Sequence, residues 1–110
     1  DEGVSYLKEG MANLKDLNTL ELDLSSCKIS DEGMRALKKM IKNLKSLKQI
    51  KLGLSDCEYI TDGGLLQLRK AFVKLPMLYE VLMKLQPCKR ISKEAQNMLK
   101  ESILSNVFIY

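Results

Sequence analysis

"LELDLSSCKISDEG", residues 20–33, holds two different periodicities with a break between them. Leu20, Leu22 and Leu24 alternate with polar residues, the pattern of a strand with one buried face. Ser30, followed by Asp31 and Glu32, then opens a helix. A hydroxyl residue suits the N-cap, and acids suit the positive end of the helix dipole in the first turn. Beyond it Met34, Leu37, Ile41 and Leu44 continue at the spacing of a single apolar stripe.

The same pattern recurs. "IKLGLSDCEYITDGG" (residues 50–64) and "VLMKLQPCKRISKEA" (residues 81–95) align with it on Cys27, Cys57 and Cys88, which stand 30 and 31 residues apart. Leu20, Ile50 and Val81 then correspond, as do Leu24, Leu54 and Leu85, and Met11, Ile41 and Phe72. The extra residue in "CEYIT" against "CKIS" accounts for the longer second period, and a fourth partial copy starts at Ile91 and fades after Ile103. A strand plus a helix cannot bury its own apolar face, whereas copies stacked in register can. The expected elements are helices at about 2–13, 31–43, 62–74 and 93–104 and strands at about 19–25, 49–55 and 80–86. "VFIY", residues 107–110, is expected to add a short last strand. Gly33 and Gly64, at the third helical position, are expected to allow close packing against the neighbouring layer.

On these residues the chain resembles leucine-rich repeats of the ribonuclease-inhibitor-like class. The leucine-rich strand, the Cys where such repeats carry Asn or Cys, and the Ile-Ser/Thr-Asp-x-Gly helix start carry the resemblance. From Leu17 to Cys27 the chain reads L-x-x-L-x-L-x-L-x-x-C, two residues longer than the usual L-x-x-L-x-L-x-x-N/C, so a longer strand or a bulge is expected. The resemblance implies an α/β fold, a solenoid segment with a parallel sheet on its concave side and helices on its convex side. Residues 1–110 would form a single leucine-rich-repeat domain of about three and a half repeats. The start at Asp1, inside a repeat, suggests a piece of a longer protein.

Apolar residues make up 45% and charged residues 29%, a globular rather than disordered balance. No apolar run approaches the roughly 20 residues a membrane-spanning helix needs. Three cysteines and no histidine argue against a closed disulfide framework and against a four-ligand zinc site. The expected location is reducing, intracellular and cytoplasmic, with Cys27, Cys57 and Cys88 as a ladder of buried, reduced thiols. With no His, no Gly-rich phosphate loop, no G-x-S-x-G and no paired carboxylates in an obvious cleft, no catalytic residue, cofactor, metal or small-molecule substrate is expected.

Two surfaces remain as candidates. If the strand leucines point inward, the outward residues stack in the rows Glu21–Lys51–Leu82, Asp23–Gly53–Lys84 and Ser25–Ser55–Gln86. The resemblance implies that another protein binds on this face, at Glu21, Asp23, Lys51, Leu82, Lys84 and Gln86. Residues 1–34 hold three bases and eight acids, net −5, and residues 35–110 hold fifteen bases and six acids, net +9. Within the basic part, residues 35–51 carry seven bases and no acid. Arg35, Lys38, Lys39, Lys42 and Lys45 fall in a helical sector about 120° wide, a candidate for anion binding to nucleic acid or an acidic surface. No aromatics are interleaved with them, which disfavours nucleic acid, and a solvated helix face has the same composition. The strand at 19–25 is expected to be an uncovered edge, with Glu21 and Asp23 opposing self-pairing. A monomer with edge-mediated self-contacts only at high concentration follows.

Overall fold

The computed structural model describes residues 17–101 and 106–109; the helix expected at 2–13 lies outside them. Strands and helices alternate: β1 (Thr19–Asp23), α1 (Asp31–Ile41), β2 (Gln49–Gly53), α2 (Asp62–Phe72), β3 (Glu80–Lys84), α3 (Lys93–Glu101) and β4 (Asn106–Ile109). The four strands form one sheet in the order β1-β2-β3-β4. All neighbours are parallel and each residue lies beside its counterpart in the next copy: Leu20 pairs with Ile50, Ile50 with Val81, and Val81 with Val107. Parallel pairing requires a crossover, and each helix supplies one.

Alternation along the strands decides which face is covered. Leu20, Ile50, Leu52, Val81 and Met83 are buried, whereas Glu21, Lys51 and Lys84 are exposed. The helices cover the first face with their own stripes: Met34, Leu37 and Ile41 from α1, Leu65, Leu68 and Phe72 from α2, and Leu99 from α3. α1 packs against α2, and α2 against α3.

The regular strands are shorter than expected, five residues in β1, β2 and β3. The third leucine of each copy lies beyond the strand, yet Leu54 and Leu85 remain buried. Backbone pairing continues past the strand ends, from Leu24 N–H to the Gly53 carbonyl (2.7 Å) and from Ser26 N–H to that of Ser55 (2.8 Å). The two additional residues of the motif therefore sit in a loop that is hydrogen-bonded from copy to copy. Its corner is left-handed, with φ of 61° at both Ser26 and Asp56. Pro87, whose ring forbids positive φ, takes this place in the third copy and follows a cis Gln86–Pro87 bond.

The acid that opens each helix does more than meet the dipole. Asp31 accepts the Thr61 N–H (2.8 Å) on one oxygen and the Thr61 hydroxyl on the other. Asp62 repeats this on Ser92, at 2.6 Å to the N–H and 2.7 Å to the hydroxyl. The same hydroxyls cap their own helices: Thr61 Oγ1 accepts from Gly63 N–H (3.2 Å) and Ser92 Oγ from Ala95 N–H (3.1 Å). Ser30, expected to do likewise, makes no side-chain cap bond. A side chain at Gly64 would meet the Asp31 carboxylate and come within 3.1 Å of Ile60 Cγ2. The glycine thus admits the carboxylate of the preceding copy, a close approach within the helix layer rather than to the neighbouring layer as expected.

Candidate binding face of the sheet

The uncovered face of the sheet contains a depression of about 290 Å³. Glu21, Asp23 and Ser25 line it on one side, Lys51 and Gly53 form the middle, and Leu82 and Lys84 close the other. Strand register creates this arrangement: Glu21 pairs with Lys51 and Lys51 with Leu82, while Asp23 pairs with Gly53 and Gly53 with Lys84. Acid therefore lies on β1 and base on β2 and β3.

Gly53 shapes the floor. A Cβ there would lie 2.6 Å from Asp23 Oδ1 and 3.2 Å from Ser25 Oγ, so the Asp23 carboxylate leans over the glycine. Asp23 Oδ1 accepts the Ser25 N–H at 3.1 Å. That backbone bond, then the Ser25 hydroxyl, holds the Asp23 carboxyl below the usual carboxylate range, with Lys84 adding a smaller pull against slight desolvation. At neutral pH this side of the depression is anionic. Ser25 Oγ also accepts the Ser55 N–H (3.1 Å), tying the rim to the next copy.

Five of the six residues expected on this face, Glu21, Asp23, Lys51, Leu82 and Lys84, line the depression. Gln86 is exposed but lies past the end of β3 and outside the lining, because the ladder turns into the loop there. Leu82 is half-buried and lies opposite Lys51 of β2 and Phe108 of β4. Gly53 and Ser25 were legible as row members in the sequence, but nothing there signals that one makes room for the other's neighbour.

Residues 16–38 match a protein-family model described as "Leucine Rich repeat". This stretch carries a leucine-rich repeat. It takes in β1, the loop around Cys27 and the first two turns of α1. No curated protein matches the chain.

The basic residues of the second candidate surface fall in the helix layer. Arg35, Lys38 and Lys39 lie on α1 and Lys42 is its C-cap. Lys45, expected on the same helical sector, lies in the turn beyond, and its ammonium donates to the Lys74 carbonyl at 3.1 Å. The helix ends at Ile41, so the spacing that continues to Leu44 is no longer helical. Lys70 of α2 joins the group instead. Desolvation first, then the charges of Lys70, Lys42, Arg35 and Lys39, lowers the pKa of Lys38 below its ordinary value.

The thiols depart from a uniform buried ladder: all three are free, but Cys27 is exposed, Cys57 buried and Cys88 half-buried. Each inner thiol donates back to the third leucine of the preceding repeat, Cys57 to the Leu24 carbonyl (3.3 Å) and Cys88 to that of Leu54 (3.0 Å). Cys27 has no such neighbour because no strand precedes β1 among the described residues. Burial, with Cys88 nearby, raises the Cys57 pKa and makes its thiolate scarce at neutral pH. A thiol reagent at neutral pH is therefore expected to modify Cys27 rapidly, Cys88 more slowly, and Cys57 only on unfolding. Mass spectrometry of time points reads the order, and equal rates would contradict it.

Among the described residues no group of three or more Cys, Asp or Glu side chains is placed to hold a metal ion. None of their helices is long and apolar enough to cross a membrane.

Proposed function

We propose that the chain is a non-catalytic scaffold of an intracellular, cytoplasmic protein, which binds another protein on the uncovered face of its sheet. In this reading residues 1–110 are one domain, a solenoid segment of the ribonuclease-inhibitor-like class with the sheet on its concave side, and monomeric at working concentration. Leucine-rich repeats commonly mediate protein–protein interaction, which supports the choice of partner. The observation that carries the reading is the depression itself: acids on β1, bases on β2 and β3 and half-buried Leu82 on β3 line one face built from regular strands. A preformed surface of this kind binds with little ordering cost, and its mixed charges select a partner's orientation.

The test is affinity capture from cell extract on immobilised protein, with the retained proteins compared between variants. Leu82→Arg combined with Lys84→Glu is expected to abolish capture of the specific partner, since it puts a charge on the apolar contact of β3 and reverses the charge of that side. Lys38→Glu combined with Lys42→Glu, on the helix layer, is expected to leave capture intact. The opposite result would assign the binding to the helices.

A further inference from the structure

Protein capture on the sheet leaves the outer surface of the helices without a role. That surface is unusual in two ways at once. Residues 33–55 and 63–79 contain no acid, so neither α1 nor α2 has a carboxylate after its first turn. On α1 and its C-cap, Arg35, Lys39 and Lys42 stand at i, i+4 and i+7, all exposed. The same places on α2 hold Leu66, Lys70 and Val73. Leu66 and Val73 are 36% and 54% exposed, and Met77, in the turn after α2, is 50% exposed. The two helices pack side by side, and the charges of Arg35, Lys42 and Lys70 all act on Lys38. Beyond the first turns, a basic stripe on α1 therefore adjoins exposed aliphatic side chains on α2 with Lys70 among them, and the exposed carboxylates of the helix layer, Glu32, Glu94 and Glu101, stand at the start of α1 and on α3.

We propose that this helix face docks peripherally on an anionic lipid bilayer. Arg35, Lys39, Lys42 and Lys70 meet the headgroups, and Leu66, Val73 and Met77 enter the interface between them. Interfacial binding combines buried apolar area with attraction to anionic lipid, and this face presents both. A nucleic acid would use the bases but not the aliphatic side chains, and residues 35–51 contain no aromatic residue to stack on it. Docking by the helices leaves the opposite, sheet face open to solvent.

The chain has no Trp, so Val73→Trp supplies a single indole reporter at an exposed position, and Met77→Trp gives a second. Each is mixed with vesicles of phosphatidylcholine alone or with about one-third phosphatidylserine. With phosphatidylserine present, the indole emission is expected to shift to the blue and to be quenched by brominated acyl chains, and the protein to co-sediment in a salt-sensitive way. Lys39→Glu with Lys42→Glu is expected to lower vesicle binding by at least about tenfold. Lys51→Glu with Lys84→Glu, which changes net charge equally on the sheet face, is expected to retain it. Circular dichroism checks that each variant is folded. No emission shift with anionic vesicles, equal loss in the two charge-matched variants, or tighter binding to a DNA oligonucleotide or polyglutamate than to vesicles would overturn the proposal.

Discussion

Replacing Asp31 with alanine is expected to lower the unfolding free energy by about 2–4 kcal/mol. The carboxylate accepts both the backbone N–H and the hydroxyl of Thr61, thirty residues on, and these bonds lie half-buried between α1 and α2. Without it two donors at the junction lose a charged acceptor. The Thr61 hydroxyl, which also caps α2 through Gly63 N–H, loses the partner that orients it. Asp31→Asn retains an acceptor for the N–H and is expected to cost about half as much. Urea titration followed by circular dichroism measures both. A loss under about 0.5 kcal/mol for the alanine variant would reduce Asp31 to a surface acid near a helix dipole.

Phe72→Ala is expected to cost about 3–5 kcal/mol. Phe72 heads the largest fully buried side chains, at 1% exposure, and ends α2, the helix packed against both α1 and α3. Its removal opens a cavity that neither neighbour can close without moving a helix. Phe72→Leu keeps most of the volume and is expected to cost under about 2 kcal/mol. A domain of this size is stable by about 5–15 kcal/mol, so Phe72→Ala together with Asp31→Ala should leave much of the protein unfolded at room temperature. If the single Phe72→Ala change cost less than about 1.5 kcal/mol, the core would not be continuous across α2.

The repeat was legible because its period is a spatial fact. The spacing of Cys27, Cys57 and Cys88 sets Leu20 beside Ile50 and Ile50 beside Val81, and the observed register is the same. The rows Glu21–Lys51–Leu82 and Asp23–Gly53–Lys84 followed from that register, and so did most of the candidate site. What was missed depends on neighbours rather than on pattern. Cys27 has the same local sequence context as Cys57, but burial requires the Leu24-type carbonyl of a preceding copy. Asp31 already had a sufficient local explanation at a helix start, which hid its partner in the next copy. Lys45 kept helical spacing after the helix had ended, since a turn can continue an apolar stripe for one more step. Gln86 fell outside the face because the strand gives way to a loop before reaching it.

The carboxylate-to-hydroxyl joint also gives the chain a syntax. The copy between the two joints offers the Thr61 hydroxyl to the one before it and the Asp62 carboxylate to the one after, so a copy bearing both can stand between two others. Asp31 and Asp62 fill the giving position in their copies, but the corresponding residue after Ser92 is Lys93, which can only donate. The copy that begins at Ile91 can receive a joint and cannot extend one. The copies are therefore not permutable: a rearrangement that moved this one inward would leave its successor unlatched, whereas duplication of the Asp62 copy would lengthen the array with every latch intact.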